Sequence, residues 1–203
     1  MARGKEISQQ MREQSRAQIL DAARKLFAER GYFNCKVSDI AKEANMSQGN
    51  VYWYFSSKED VLKAVLSEGF GRIESLLADA ASRPGDALSS LGTLLDQYFL
   101  YAQEQGEFQA IFLSLIGHGS GPFMQQLGFD TVEIGTRYHQ HLSGLLERAR
   151  LEGVVADEDP NILAMYYFSF FNGLLLTYRD IWTVIPRDQI HRAVLRMLGY
   201  GCQ

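Results

Sequence analysis

Residues 37–60 read VSDIAKEANMSQGNVYWYFSSKED, and this stretch decides the fold. Val37, Ile40, Ala41 and Ala44 repeat at helical spacing over two turns. Asn45 follows, a residue that tolerates the left-handed backbone needed to leave a helix. Ser47 then supplies an N-cap for a second short helix from Gln48, with Val51 and Tyr54 three apart on its inward side. Ser57 with Asp60 signals a further helix start. Helices this short are unstable alone, and a chain that keeps two of them around a tight break is presenting something.

The spacing upstream predicts a bracing helix over residues 15–30, with Ile19, Ala22, Ala23, Leu26 and Phe27 on one buried stripe and Gly31 as its stop. Downstream, residues 57–80 continue as one helix to the break at Arg83-Pro84-Gly85. Helices are expected over 86–104, 108–116, 123–152, 161–178 and 188–198. With four prolines and no alternating hairpin runs, the expected fold is all-α. It has an N-terminal three-helix helix-turn-helix domain (residues 1–57) joined to a larger helical domain (58–203), about nine helices in total.

The 203 residues, 46% hydrophobic, are enough for one large domain or one large and one small. Net charge is −4, but unevenly placed: residues 1–60 hold ten Lys/Arg against eight Asp/Glu, and residues 61–203 hold ten against sixteen. A slightly basic head on an acidic body fits localised DNA contact rather than a nucleic-acid coat. Cys35 and Cys202 are too few and too distant in sequence for a disulfide scaffold. The N-terminus has no apolar signal core, and the longest apolar stretch is interrupted by Ser169, Asn172, Gly173 and Thr177. A cytoplasmic setting is expected. No metalloprotease, P-loop or dinucleotide fingerprint occurs, and His139 and His141 point to different sides of a helix, so no enzyme, cofactor or metal is expected.

A helix-turn-helix places the start of its second helix in the major groove. Gln48 and Asn50 carry amides suited to base edges, and Gly49 leaves room for close approach. Tyr52, Trp53 and Tyr54 cannot all point inward on one turn. Lys58 is a candidate phosphate contact beside a helix start.

Residues 15–62 resemble the DNA-binding domain of TetR/AcrR-type transcriptional regulators. The string ILDAARKLFAERGYFNCKVSDIAKEANMSQGNVYWYFSSKEDVL carries the resemblance, most specifically through DIAKEANMS and GNVYWYFSSKE. By that resemblance Ser47, Gln48, Asn50, Tyr52 and Trp53 fall at base or backbone contacts, Tyr54 and Lys58 at phosphate contacts, and Phe55 in the core. Lys36 stands where a capping Thr is usual, which weakens the cap while offering a cation to phosphate. Asn45 replaces a Gly. Trp53 replaces a frequent His and favours stacking over hydrogen-bond acceptance.

A small head binds tightly when doubled, so a homodimer is expected, with its interface in the body. The resemblance places that interface on the last two helices, through Tyr166, Ser169, Phe170, Gly173, Leu174, Val194 and Leu198. The body is rich in aromatics, and large rings leave cavities between helices. Tyr98, Phe112, His118, Tyr138, His139, Tyr167 and Phe170 are the candidate contacts for a small apolar or aromatic effector. The expected function is a dimeric repressor released from operator DNA by that effector. An activator, a ligand-independent regulator and, from another class, a DNA-free helical interaction protein are the alternatives.

Overall fold

The structure is a computed structural model describing residues 2–117, 119, 121–177 and 185–201. Among these residues there are nine α-helices, one 3₁₀ turn and no strand. They are α1 (Ala2–Arg30), the 3₁₀ turn (Tyr32–Asn34), α2 (Val37–Glu43), α3 (Gln48–Tyr54) and α4 (Lys58–Ser82). The body continues with α5 (Ala87–Gly117), α6 (Gly121–Gln126), α7 (Thr131–Leu151), α8 (Pro160–Thr177) and α9 (Arg187–Met197).

Chemistry legible in the sequence sets the boundaries within the head. Gly31, at φ 79°, ends α1, and its N–H reaches Phe27 O at 3.0 Å. Asn45, at φ 54°, is the one non-glycine residue with positive φ among the described residues, and it turns the chain from α2 to α3. The hydroxyls of Ser47 and Ser57 accept from the N–H groups of Asn50 and Asp60, each at 3.1 Å. Each cap satisfies one of the free donors at a helix start.

Three elements differ from expectation. α1 begins near the chain start rather than at Ser15. Residues before Ile19 carry no apolar stripe, so periodicity is silent there. They are nonetheless rich in Ala, Arg, Lys, Glu and Gln, which favour helix, and Gln9 bonds Glu13 one turn on. The expected helices 86–104 and 108–116 are one continuous α5. A glycine inside a helix costs roughly 1 kcal/mol against alanine, and Gly106 is carried because Phe108, Ile111 and Leu115 bury on the face that continues Leu94, Tyr98 and Tyr101. The expected helix 123–152 is instead α6 and α7. Gly128, at φ 85°, breaks it, and Asp130 restarts it by accepting from the N–H groups of Val132 and Glu133.

In the body, α4 lies against α5 and α7, and α8 packs on α7. Buried Leu62, Val65, Leu66, Ile73 and Leu77 of α4 share a single apolar core with Leu91, Leu95, Leu142, Leu145 and Leu146. Arg148 ties three segments together, donating to Ala81 O, Arg83 O and the Ser90 hydroxyl. No helix among the described residues is long and apolar enough to cross a membrane.

Candidate nucleic-acid interface and effector cavity

Helix α1 buries Ile19, Ala22, Ala23, Leu26 and Phe27 against Val37, Ile40 and Ala41 of α2 and Val51 of α3. Phe55, just past α3, is buried with them. With Val51 and Phe55 held inside, the opposite side of α3 must face outward. Gln48, Gly49 and Asn50 are exposed, as are Tyr52 (48%) and Trp53 (60%). Tyr54 is half-buried against the core and meets the Trp53 ring edge-on at 4.6 Å. Ser47 lies on the same surface, with its hydroxyl engaged in the cap.

Sequence reasoning missed Arg12. From the unexpected first half of α1 its guanidinium lies 5.0 Å from the Trp53 ring. A cation over a tryptophan face is attractive, so this contact braces the most exposed ring of the head. The signal would have been the helix-forming composition of residues 2–14.

Lys36 is exposed at the start of α2. A lysine has no acceptor, so it cannot cap α2 through its side chain. Asp39 supplies half of a capping box by accepting from Lys36 N–H at 2.8 Å.

Lys58 is placed otherwise than a free phosphate contact would be. Its ammonium donates to Tyr32 O at 3.0 Å and Cys35 O at 2.9 Å, and lies 4.1 Å from the Tyr32 ring centre. It clasps the start of α4 to the turn between α1 and α2. Tyr32 is the centre of that clasp: its hydroxyl donates to Glu59 at 2.9 Å. Glu59 is held below the usual carboxylate range by a bond from its own backbone N–H and by Tyr32. Burial, with the Glu59 bond next, pushes the Tyr32 phenol upward. The other side of Tyr32 packs on Phe123 of α6 at 5.5 Å, and Phe33 meets the same ring at 5.8 Å.

Between α4, α5, α7 and α8 lies a cavity of about 190 Å³. Tyr98, Phe112 and Tyr138, three of the sequence candidates, line it with Phe70, Phe108 and Phe168. Tyr167 is buried but does not line it. Its ring packs on Phe171, which also meets Tyr98. His139 is half-buried outside the lining, its ring stacked 6.4 Å from Phe168. Phe170 is half-buried against Phe171. His118 lies outside the described residues. Gln109 is the cavity residue that sequence reasoning passed over. It stands three turns after Tyr98 on the same face of α5, a relation visible only once 87–117 is one helix.

On α8, Tyr166, Ser169 and Gly173 are exposed and Phe170 and Leu174 half-buried, which leaves an apolar stripe uncovered in the protomer. A Cβ at Gly173 would meet nothing within 4 Å. Val194 and Leu198 correct the expectation: both are wholly buried inside their own protomer, because the apolar side of α9 is covered by the body itself. Among the described residues no group of three or more His, Cys, Asp or Glu is placed to hold a metal ion.

A helix-turn-helix head with an outward second helix, the arrangement by which such motifs meet DNA, is carried on a helical body with a cavity between α4, α5, α7 and α8. The family profile described as bacterial regulatory proteins, tetR family, matches residues 19–65. The fatty acid metabolism regulator protein of Bacillus subtilis (strain 168) is 34% identical over 82 residues, covering 40% of this chain and 42% of that protein. The HTH-type transcriptional regulator AcrR of Shigella flexneri is 36% identical over 91 residues, covering 43% of this chain and 41% of that protein. These matches span less than half the length of either relative. The structure of the fatty acid degradation regulator FadR from Bacillus halodurans superposes with a TM-score of 0.72 over 91% of this chain and 94% of that one. At 24% identity it shows a shared fold. Over residues 19–65 the head matches the DNA-binding domain of the tetR family of bacterial regulatory proteins, and the all-α architecture is shared with the FadR structure.

Proposed function

We propose that this chain is a dimeric repressor that is released from operator DNA when a small apolar or aromatic molecule occupies the body cavity. The observation that carries the DNA half is the division of α3, with Val51 buried and Gln48, Asn50, Tyr52 and Trp53 outward. Gln48 and Asn50 read base edges, Tyr52 and Trp53 supply stacking and van der Waals contact, and Ser47, Tyr54 and Lys36 meet the backbone. Residues 1–57 form the DNA-binding domain and residues 58–203 the effector and dimerisation domain. Two protomers join along the α8 stripe of Tyr166, Ser169, Phe170, Gly173 and Leu174. The pair presents its heads to successive turns of one duplex.

Selection of bound sequences from a random duplex pool tests this reading. The expected result is two related half-sites in inverted orientation, with centres about one helical turn or a multiple apart. Recovery of no sequence preference favours the DNA-free interaction protein and overturns the reading. Gly173→Arg should leave the protomer folded, since the site is open, and should convert the dimer to monomer in sedimentation velocity. A dimer that persists would move the interface elsewhere. An activator would share the same head. A promoter–reporter measurement with and without the protein decides the sign.

A further inference from the structure

The cavity between α4, α5, α7 and α8 is walled mainly by aromatic and aliphatic side chains; Thr131 and the exposed Asn172 add polar groups, and Gln109 with Tyr98 forms its buried polar corner. Gln109 is 8% exposed, and its Nε2 donates to the Tyr98 hydroxyl at 2.9 Å. Its Oε1 is buried and has no hydrogen-bond partner. Buried carbonyl oxygens are nearly always paired, and an unpaired one is costly. The other phenol of the wall is already committed, since Tyr138 donates to Phe70 O at 2.6 Å. No acidic or basic side chain lines the cavity.

Resting on the reading of this cavity as the effector site, we infer that it selects an uncharged ring compound carrying one hydroxyl group, of the phenol or cyclic-alcohol class, whose hydroxyl is read by Gln109 and Tyr98. The Gln109 Oε1 accepts the ligand O–H. The Tyr98 hydroxyl, which already accepts from Nε2, keeps its own hydrogen to donate to the ligand oxygen. A hydroxyl is the smallest group that answers both, and it answers equally if the amide is turned over. A carboxylate or ammonium would surrender its hydration with no counter-charge in the wall, which disfavours it strongly. The volume of about 190 Å³ is below the roughly 300 Å³ at which drug-sized sites begin, so a single ring or compact bicycle fits. Phe70, Phe108 and Phe112, mutually edge-on or stacked, supply faces and edges for that ring.

The test is calorimetric titration of the full chain with three molecules of like shape: p-cresol, p-xylene and p-toluate. p-Cresol should bind roughly tenfold more tightly than p-xylene, as expected for one hydrogen bond to an otherwise unpaired buried group. p-Toluate should bind least. Gln109→Leu should erase the cresol advantage while p-xylene still binds. Tyr98→Phe, which keeps the ring, should reduce the same advantage, so the conclusion does not depend on one variant folding. A cresol preference that survives both variants, or tightest binding of p-toluate, overturns the assignment. If p-xylene binds and p-cresol binds no better, the hydroxyl assignment fails while the effector cavity stands. If none of the three binds up to its solubility limit, both fail.

Discussion

Replacing Lys58 by Met should cost the protein stability rather than remove a DNA contact. The methionine keeps the linear stem and deletes the ammonium. Two charge-assisted hydrogen bonds, to Tyr32 O and Cys35 O, are lost together with the contact to the Tyr32 ring. Hydrogen bonds to a charged group contribute roughly 1.5–3 kcal/mol each, and a partly exposed cation–π contact about 0.5–1 kcal/mol. The full sum overstates the loss, because all three contacts share one ammonium and Tyr32 O still accepts from Cys35 N–H. A destabilisation of about 2–3 kcal/mol follows. For a chain of this size each kcal/mol lowers Tm by roughly 2–4 °C, so the midpoint should fall by roughly 5–10 °C.

Thermal unfolding followed by circular dichroism measures the first quantity, and the salt dependence of binding to a selected duplex measures the second. One phosphate contact contributes about 0.9 to the slope of log K against log salt. With the ammonium engaged by carbonyls, Lys58→Met should leave that slope unchanged at a temperature where the head is folded. An unchanged midpoint together with a slope reduced by about one would refute the clasp and return Lys58 to the phosphate.

Gln48→Ala and Asn50→Ala should each cost about 1–3 kcal/mol on the selected duplex and little on a scrambled one, measured by fluorescence anisotropy; equal losses on both would place these amides on the backbone. Gly69→Ala should destabilise by about 1–3 kcal/mol, because its Cβ would run into the buried Phe108 ring, and Phe108→Leu added to it should recover part of the loss in denaturant titration. Burial raises Tyr98, Tyr101 and Tyr138 above the ordinary value of 10.0, so on unfolding these phenols ionise at lower pH than in the fold. Their stabilisation is complete below pH 10 and is lost as pH rises above it, and Tyr98→Phe should flatten that fall in stability measured against pH.

The head was legible because its boundaries are made by side chains with a single local task. Asn45 turns the chain, Ser47 and Ser57 cap, and Val51 and Phe55 bury, whatever lies around them. The body was less legible where the deciding partner is distant in sequence. The sequence reading left 105–107 between two helices, yet α5 runs through them, with Phe108 packed against Gly69 and Phe70 of α4. Val194 and Leu198 read as an apolar face in want of cover, and periodicity cannot say whether the cover is the same chain or a second copy. Lys58 shows the same limit at a charged residue. Its sequence position beside a helix start suits a phosphate, and only the fold reveals the two carbonyls that reach it first.

The clasp also bears on how an occupied cavity reaches the head under the proposed switch. Helix α4 runs unbroken from Lys58 in the clasp to Phe70 and Ile73 in the cavity wall. A second member lies beside it: Phe123 of α6 packs on Tyr32, the residue that Lys58 and Glu59 hold. Cavity and head are therefore joined through α4, and the α6 ring bears on the same Tyr32 that α4 holds. Any ligand that shifts α4 along or about its axis must either carry Tyr32 with it or pull Lys58 off its carbonyls. The second course loses charge-assisted bonds worth more than a ring contact. The head should then move with α4 as one body, and strain should fall on the Tyr32–Phe123 packing. A ligand changes the DNA affinity only by the difference in its affinity for the two arrangements. Phe123→Ala, which loosens that packing without touching cavity or DNA face, should thus alter the ligand response while leaving affinity for DNA without ligand nearly intact. Loss of DNA binding in this variant without any ligand would show instead that α6 holds the head in its binding position.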